Sequence, residues 1–295
     1  MHVGMTLPVM EPGLDAATLE SWSRTVDEGP FASLCFGERM AFDNPEAMTL
    51  LGAVAAWTDR VRLVTTVVVP QLHDPVLLAK SLATADLLSE GRLTVGLGVG
   101  GRDEDYRAVG ADLSTQTIAG LDQAVATMRR VWSGKPVSDT VGPVGPPPVQ
   151  PGGPELLVGT MGPRTLQAAA AWADGLAGFT LDLDPGQAAE LFALGREAWR
   201  AAGRPPPRLT TSFWFAIDED PDTARAQVHR HLRHYMSWLP TSLVDAMAPA
   251  TGFAGPAARL REVLDAMAEA GADEVHLVPT SADPDQLAEV AQLLS

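Results

Sequence analysis

The sequence predicts an α/β protein, a closed (β/α)8 barrel, and three observations predict it. Eight apolar, β-branched runs recur along the 295 residues, each followed by a helix-compatible stretch. Strands that alternate with helices imply a parallel sheet, and eight such units in a chain of this length imply a barrel. The competing architecture, an open doubly wound sheet, would carry a GxGxxG turn after its first strand. Here that strand ends in TLPVMEPG.

The elements follow in order. His2–Val9 reads as the first buried strand, and Ala16–Glu28 as an amphipathic helix with Leu19, Trp22 and Val26 inward. Phe31–Gly37 is the second strand and delivers Glu38 and Arg39 to its C-terminal end; Pro45–Thr58 is the next helix. Val61–Val69 is an almost unbroken apolar run, the pattern of a strand buried on both faces. Asp74 caps the following helix, and Pro75 suits its first turn because the missing N–H has no partner there. That helix, VLLAKSLATADLLSE, sets Leu77, Leu78, Leu82, Ala85 and Leu88 on one side and ends at Gly91. Arg92–Gly98 is the fourth strand, which emerges into Gly98, Gly100 and Gly101. Glycines at a strand exit let a ligand approach the backbone closely, and in parallel barrels ligands bind at that end.

A short acidic segment, Asp103–Val109, precedes a helix over Ser114–Trp132. Gly134–Pro154 holds seven prolines and five glycines and forms no regular element; it is either an active-site flap or a surface insertion. Regularity returns with a strand at Glu155–Val158, a helix from about Pro163 to Ala173 and a strand at Gly175–Phe179. A helix at Pro185–Ala202, the alternating strand Arg208–Ile217 and a long helix at Asp220–Trp238 follow. After a broken connection at Leu239–Gly252, Pro256–Ala270 is a helix, Ala272–Val278 the eighth strand and Pro284–Leu294 the last helix. The whole chain, 1–295, reads as one barrel domain with 134–154 inserted in it.

Composition narrows the function. A formal net charge of −16 repels polyanions, so neither nucleic acid nor an anionic membrane surface is an expected partner. No apolar run approaches the ~20 residues of a membrane span. Met1 leads into HVGMTLPV with no basic region, so no signal peptide is expected, and the lone Cys35 fits a reducing cytoplasm. There is no GxxxxGK[ST], no HExxH and no CxxC in the sequence. His229, His231 and His234 recur within one helix without local carboxylate or cysteine ligands, the pattern of solvated histidines rather than a metal site. His73, in the loop after the third strand, is a candidate acid or base. In VGTMGPRTLQAAAA a strand ends in Gly159, Thr160, Met161 and Gly162 and leads straight into a helix. Free N–H groups there suit a phosphate, with the Thr160 hydroxyl beside them; an ordinary strand-to-helix turn reads the same way.

Three segments carry a resemblance: LVTTVVVPQLHDPVLLAKSLATADLLSEGRLTVGLGVGG, then DEDYRAVG, then PELLVGTMGPRTLQAAAAWADGL. The chain resembles the bacterial luciferase-like flavin- and deazaflavin-dependent oxidoreductases, near their F420-dependent branch. The resemblance implies a barrel whose C-terminal mouth holds an F420 or FMN ring. It implies a third-strand bulge with a non-proline cis peptide at about Thr66–Val67. The ring would rest on Thr66, Val67, Gly98 and Gly100, and the phosphate by Gly159, Thr160, Met161 and Gly162, with Thr180 near. Many relatives carry Asp-His after the second strand; this chain carries Glu38-Arg39. Glu38 and His73 are therefore the candidates for proton transfer, Arg39 for an anionic group, and Glu104 for the glutamate some relatives hold after the fourth strand. The expected protein is a cytoplasmic oxidoreductase that uses F420 (alternatively FMN) on a small-molecule substrate, commonly as a homodimer. The alternatives are an FMN monooxygenase and a non-catalytic carrier or sensor.

Overall fold

The computed structural model describes residues 1–160 and 162–295. Eight parallel strands close into a ring: β1 (His2–Thr6), β2 (Ser33–Phe36), β3 (Arg62–Val68), β4 (Leu93–Leu97), β5 (Glu155–Gly159), β6 (Gly175–Phe179), β7 (Arg208–Ile217) and β9 (Glu274–Pro279). β6 pairs with β7, β7 with β9, and β9 returns to β1, so no edge is left open. This is the (β/α)8 barrel the alternation of elements implies. A ninth strand, β8 (Phe253–Gly255), follows directly on the stretch Leu239–Gly252 read as a broken connection. It pairs only with the last residues of β7, Phe215–Ile217, because β7 is ten residues long and outruns its neighbour β9.

The main outer helices are α1 (Ala16–Glu28), α2 (Ala47–Trp57), α3 (Pro75–Leu88), α5 (Ile118–Trp132), α6 (Pro163–Ala169), α7 (Pro185–Ala201), α8 (Pro221–Tyr235), α10 (Ala257–Glu269) and α11 (Pro284–Leu294). Four of them start the same way. Asp74, Asp184, Asp220 and Asp283 each cap the free N–H groups of a helix whose first residue is proline. Each such cap contributes about 1 kcal/mol. The acidic segment Asp103–Val109 is a short helix, α4, and the connection before β8 contains another, α9 (Thr241–Met247). The grouping of five apolar residues on one side of α3 is corrected. Leu78, Leu82 and Ala85 are buried, but Leu77 and Leu88 are 62% and 53% exposed. The helix instead turns Ala79, Ala83 and the polar Asp86 inward. Among the described residues no helix is long and apolar enough to cross a membrane.

The Pro/Gly segment, 134–154, contains no helix or strand. It is fastened away from the mouth. Buried Asp86, near the C-terminal end of α3, accepts hydrogen bonds from the Val149 and Gln150 N–H groups at 2.7 and 3.0 Å. Gln150 also donates through its side chain to Asp86 and to the Leu93 carbonyl, at the start of β4. The anchor therefore lies at the N-terminal end of the barrel, and this is a surface insertion rather than a flap.

That same N-terminal end is closed inside by a polar network drawn from six strands. Glu274 accepts from Ser33 at 2.6 Å and from Arg62; Glu155 accepts from Arg208 at 2.8 Å and from Thr94 at 2.9 Å. His276 lies 3.6 Å from the Glu274 carboxylate. Gly4 is needed here, since a Cβ on it would stand 2.1 Å from Ser33 Oγ. Burial alone would raise the Glu274 pKa. The His276 imidazole, the Arg62 charge and the Ser33 hydroxyl outweigh it and hold the carboxyl at about 2.

Candidate functional site

The opposite end of the barrel is open, and its shape starts at a defect in β3. The β3–β4 register shifts between Thr65 and Val68, and the Thr66–Val67 peptide is cis. The bulge lies where the resemblance implies it. It pushes Val67 sideways across the mouth, and the neighbouring strands accommodate it with glycine. A Cβ on Gly98 would stand 2.9 Å from Val67 Cγ2, and one on Gly159 would stand 2.7 Å from Val67 Cγ1. Gly37 backs onto the Thr66 carbonyl, which its Cβ would meet at 2.8 Å. These glycines thus make room for the bulge first, and for any ligand only through it. Gly100 is left-handed, with φ 72°, while Gly101 faces open space.

Two adjoining cavities share the bulge as a wall. The outer one, about 430 Å3, is floored by backbone of Gly98–Gly101, Gly159 and Gly178, with Thr160 and Thr165 at its side. The inner one, about 180 Å3, is lined by Thr6, Leu7, Glu38, Tyr106, Trp214 and His231 among others. Thr66, Val67, Gly100, Arg102, Phe179 and Ser212 border both. A planar group lying on the glycine floor would meet no side chain at Gly101.

The predicted residues distribute unevenly over this site. Glu38 and His73 are brought together, with Oε1 of the glutamate 2.7 Å from Nε2 of the histidine. The other carboxylate oxygen accepts the Val69 N–H at 2.9 Å, which ties the pair to the end of β3. Arg39 is buried and spoken for. Its Nε donates to Asp105 at 3.1 Å, and its guanidinium stacks on Phe42 and Trp238 at 4.8 and 4.9 Å. Burial, and then the adjacent Arg102 charge, lower its pKa against the opposing pull of Asp105. Thr160 lines the outer cavity, and its hydroxyl already accepts the Gly162 N–H at 3.0 Å. Gly162 caps α6 without a side chain. Thr180 is buried, hydrogen-bonded to Thr211 at 2.7 Å, and stands outside both linings. Glu104 is exposed on α4 and reaches neither cavity. Met161 lies outside the described residues.

Several participants were missed by the sequence reading. Asp105 is the most consequential: its Oδ1 accepts the Met40 and Ala41 N–H groups at 2.9 and 2.7 Å while the carboxylate pairs with Arg39. One carboxylate thus fixes the loop after β2. Arg102 stacks on Trp238 at 3.9 Å and donates to the Tyr235 hydroxyl at 2.9 Å. Tyr106 donates to the Val99 carbonyl at 2.7 Å, and burial pushes its phenol up to about 12, so it stays a donor. The helix histidines are not uniformly solvated. His229 pairs with Asp245 at 2.7 Å, whereas His231 is 1% exposed and lines the inner cavity. The signal was available. Ala224, Val228, His231 and Leu232 form one stripe at helical spacing, and the histidine sits on it.

The comparisons agree with this geometry. Over 99% of the chain the fold matches the crystal structure of monooxygenase RslO1 from Streptomyces bottropensis, with TM-score 0.82, 25% identity and 97% of that chain covered. The coenzyme F420 dependent tetrahydromethanopterin reductase from Methanopyrus kandleri shares the fold at TM-score 0.79 and 16% identity, with 100% of this chain and 97% of that chain covered. In sequence the chain is 36% identical over 162 residues to an uncharacterized protein of Mycobacterium tuberculosis, covering 52% of this chain and 56% of the relative. It is 31% identical over 177 residues to a phthiodiolone/phenolphthiodiolone dimycocerosates ketoreductase of Mycobacterium bovis, covering 57% and 46%. The matches thus span about half the length of these curated relatives. The profile of the luciferase-like monooxygenases matches residues 2–289. The chain belongs to the luciferase-like monooxygenase family.

Proposed function

We propose that the protein is an oxidoreductase that uses coenzyme F420, or alternatively FMN, to pass a hydride to or from a small organic substrate. One observation carries this reading: a glycine-floored outer cavity and a smaller inner cavity meet along the Thr66–Val67 bulge. A flat tricyclic ring fits the first, and a substrate fits the second. The residues present suit such a ring, since three of the four floor residues from Gly98 to Gly101 are glycines with no side chain to obstruct it. Thr66, Val67, Gly98 and Gly100 would lie against it. Gly159, Thr160, Thr165 and Gly162, with Met161 in sequence between them and Thr180 behind, would attend its phosphate. When bound, the coenzyme supplies the carbon or nitrogen centre that gives or takes the hydride.

The chain's own part is placement and proton handling. Glu38 and His73, in hydrogen-bond contact at 2.7 Å, would relay a proton at the rim. Arg102 lines both cavities without a carboxylate partner, and Arg39, paired with Asp105, stands behind it, which favours an anionic group on the ligand. Glu104, exposed on α4, would act only on a ligand that reaches out to it. The likeness to monooxygenase RslO1 favours a second reading, an FMN-dependent monooxygenase. The exposed Leu77, Leu87 and Leu88 of α3 support a second copy of the chain as the partner on that face. The test is parallel titration of the purified protein with F420 and FMN, followed by absorbance and fluorescence. Saturable micromolar binding of one of them is the expected result; absence of binding by both removes the reading.

A further inference from the structure

Of the Glu38–His73 pair only Glu38 lines the inner cavity, and its two oxygens already hold the Val69 N–H and His73. The inner cavity holds a group that is not spent. His231, on α8, presents its ring to this cavity from the far side of β7. Its Nδ1 is 2.5 Å from Oε1 of Glu11, in the loop after β1. The other oxygen of Glu11 is held by Arg230 at 3.2 Å, and Arg230 is itself tied to the Thr280 carbonyl at 2.6 Å. Glu11 therefore accepts a hydrogen bond from Nδ1–H and fixes the ring, which is stacked on Tyr235 at an interplanar angle of 11°. Nε2 is buried and has no partner among the described residues. A buried polar atom left unpaired costs about 1–3 kcal/mol, which a bound ligand removes by pairing with it. Thr6 Oγ1, also on the lining of this cavity, is unpaired as well.

We infer that His231, oriented by Glu11, is the catalytic group that meets the substrate oxygen in the inner cavity. We infer further that the substrate is a ring-sized, largely apolar alcohol or the corresponding ketone. This rests on the oxidoreductase reading above. The size follows from the cavity, about 180 Å3, since an apolar cavity of about 150 Å3 holds a benzene molecule. The oxygen function follows from the imidazole. With Nδ1–H given to Glu11, neutral His231 offers a lone pair at Nε2, which accepts a hydrogen bond from a hydroxyl. In the oxidation direction the substrate C–H bond breaks and its electron pair leaves as hydride to the oxidised coenzyme. The O–H proton passes to Nε2, and the carbon–oxygen double bond forms. The reverse direction returns the proton from Nε2 to the ketone oxygen as the reduced coenzyme gives up its hydride. Glu11 is a positioning residue, which acts by holding the imidazole tautomer.

The test uses the full-length protein without coenzyme, so that its outcome is separate from coenzyme binding. The chain, labelled with 15N-histidine, is titrated with cyclohexanol. The Nε2 resonance of His231, assigned by its loss in His231→Gln, is expected to move, while those of His73 and His229 stay. His231→Leu is expected to weaken cyclohexanol binding at least fivefold and to leave F420 and FMN affinities within twofold. Glu11→Gln is expected to scramble the Nδ1/Nε2 proton signature of His231 while the protein stays folded. An unmoved His231 resonance at saturating cyclohexanol overturns the proposal. So does a folded His231→Leu protein that binds cyclohexanol as tightly as the parent. Should His231→Leu fail to fold, the Glu11→Gln spectrum decides: an unchanged tautomer signature there overturns the positioning role.

Discussion

The two ends of the barrel interior hold the same kinds of side chain and treat them oppositely. At the N-terminal end the carboxylates of Glu155 and Glu274 meet Arg62, Arg208, Ser33 and Thr94 in one network from six strands. At the C-terminal end His231 Nε2, Thr6 Oγ1 and Arg102 Nε, all on residues that line the inner cavity, are buried and unpaired among the described residues, whereas His276 at the other end, with both ring nitrogens unpaired, lines neither cavity. Buried polar groups are normally paired, so an unpaired set around a cavity marks where a ligand completes the structure. The difference teaches that neither polarity nor a single unpaired group reveals a site inside the barrel, whereas several unpaired groups gathered on one cavity do.

The comparison breaks most visibly at Glu274. Removing one partner of a buried ion pair costs roughly 3–5 kcal/mol, and Glu274→Gln is expected to lose stability near the lower end of that range. Urea unfolding measures it, and coenzyme affinity is expected to stay. The sign of the pH dependence follows from a depressed folded-state pKa, about 2 against an ordinary 4.5. The stabilisation is present above pH 4.5 and is lost as the pH falls from there towards about 2. The variant should show a flatter stability profile over that window. A variant with the same acid dependence as the parent would remove Glu274 from the account.

Next in size is Gly159→Ala, whose new Cβ would meet Val67 Cγ1 at 2.7 Å. Overpacking of this kind costs about 1–3 kcal/mol. Because Val67 is a shared wall, F420 or FMN affinity should fall together with thermal stability. Loss of stability with full affinity would dissociate the bulge from the site. Asp86→Asn is expected to cost about 1–2 kcal/mol by weakening the bonds from Val149 and Gln150. Limited proteolysis should then cut within 134–154 while ligand affinity stays unchanged. Altered affinity would make the insertion part of the site after all. The smallest effect on stability belongs to Gly101→Ala, where the added methyl meets nothing within 4 Å of the protein. Its stability should change by less than about 0.5 kcal/mol, yet its coenzyme affinity should drop severalfold. Unchanged affinity would show that the outer cavity floor carries no ring.

The frame of the molecule was legible in the sequence because it rests on short-range signals. Apolar strands, Asp-Pro helix starts and the glycine-rich exit of β4 are each written in neighbouring residues. The position of the bulge at Thr66–Val67 followed from the family resemblance of the surrounding segment. What escaped was decided by partners distant in sequence. Arg39 was visible, but Asp105, 66 positions on, was not assigned to it. Glu11 and His231 are 220 residues apart, so neither announced the other. The glycines at 98 and 159 read as ligand contacts, and they do line the outer cavity, but the crowding of their Cβ positions by Val67 shows only in the fold. Leu77 and Leu88 fall on the side grouped with Leu78, Leu82 and Ala85 because an apolar helix without a strong polar face does not say which side turns inward.

The clasp on Asp86 has a practical corollary. Ser138–Pro143 is an exposed arc whose chain is secured at Val149 and Gln150, at the end of the barrel remote from the mouth. A reporter peptide or affinity handle spliced into that arc would be carried like a pennant on a fixed mast, and catalysis could be watched on a labelled enzyme without touching the mouth.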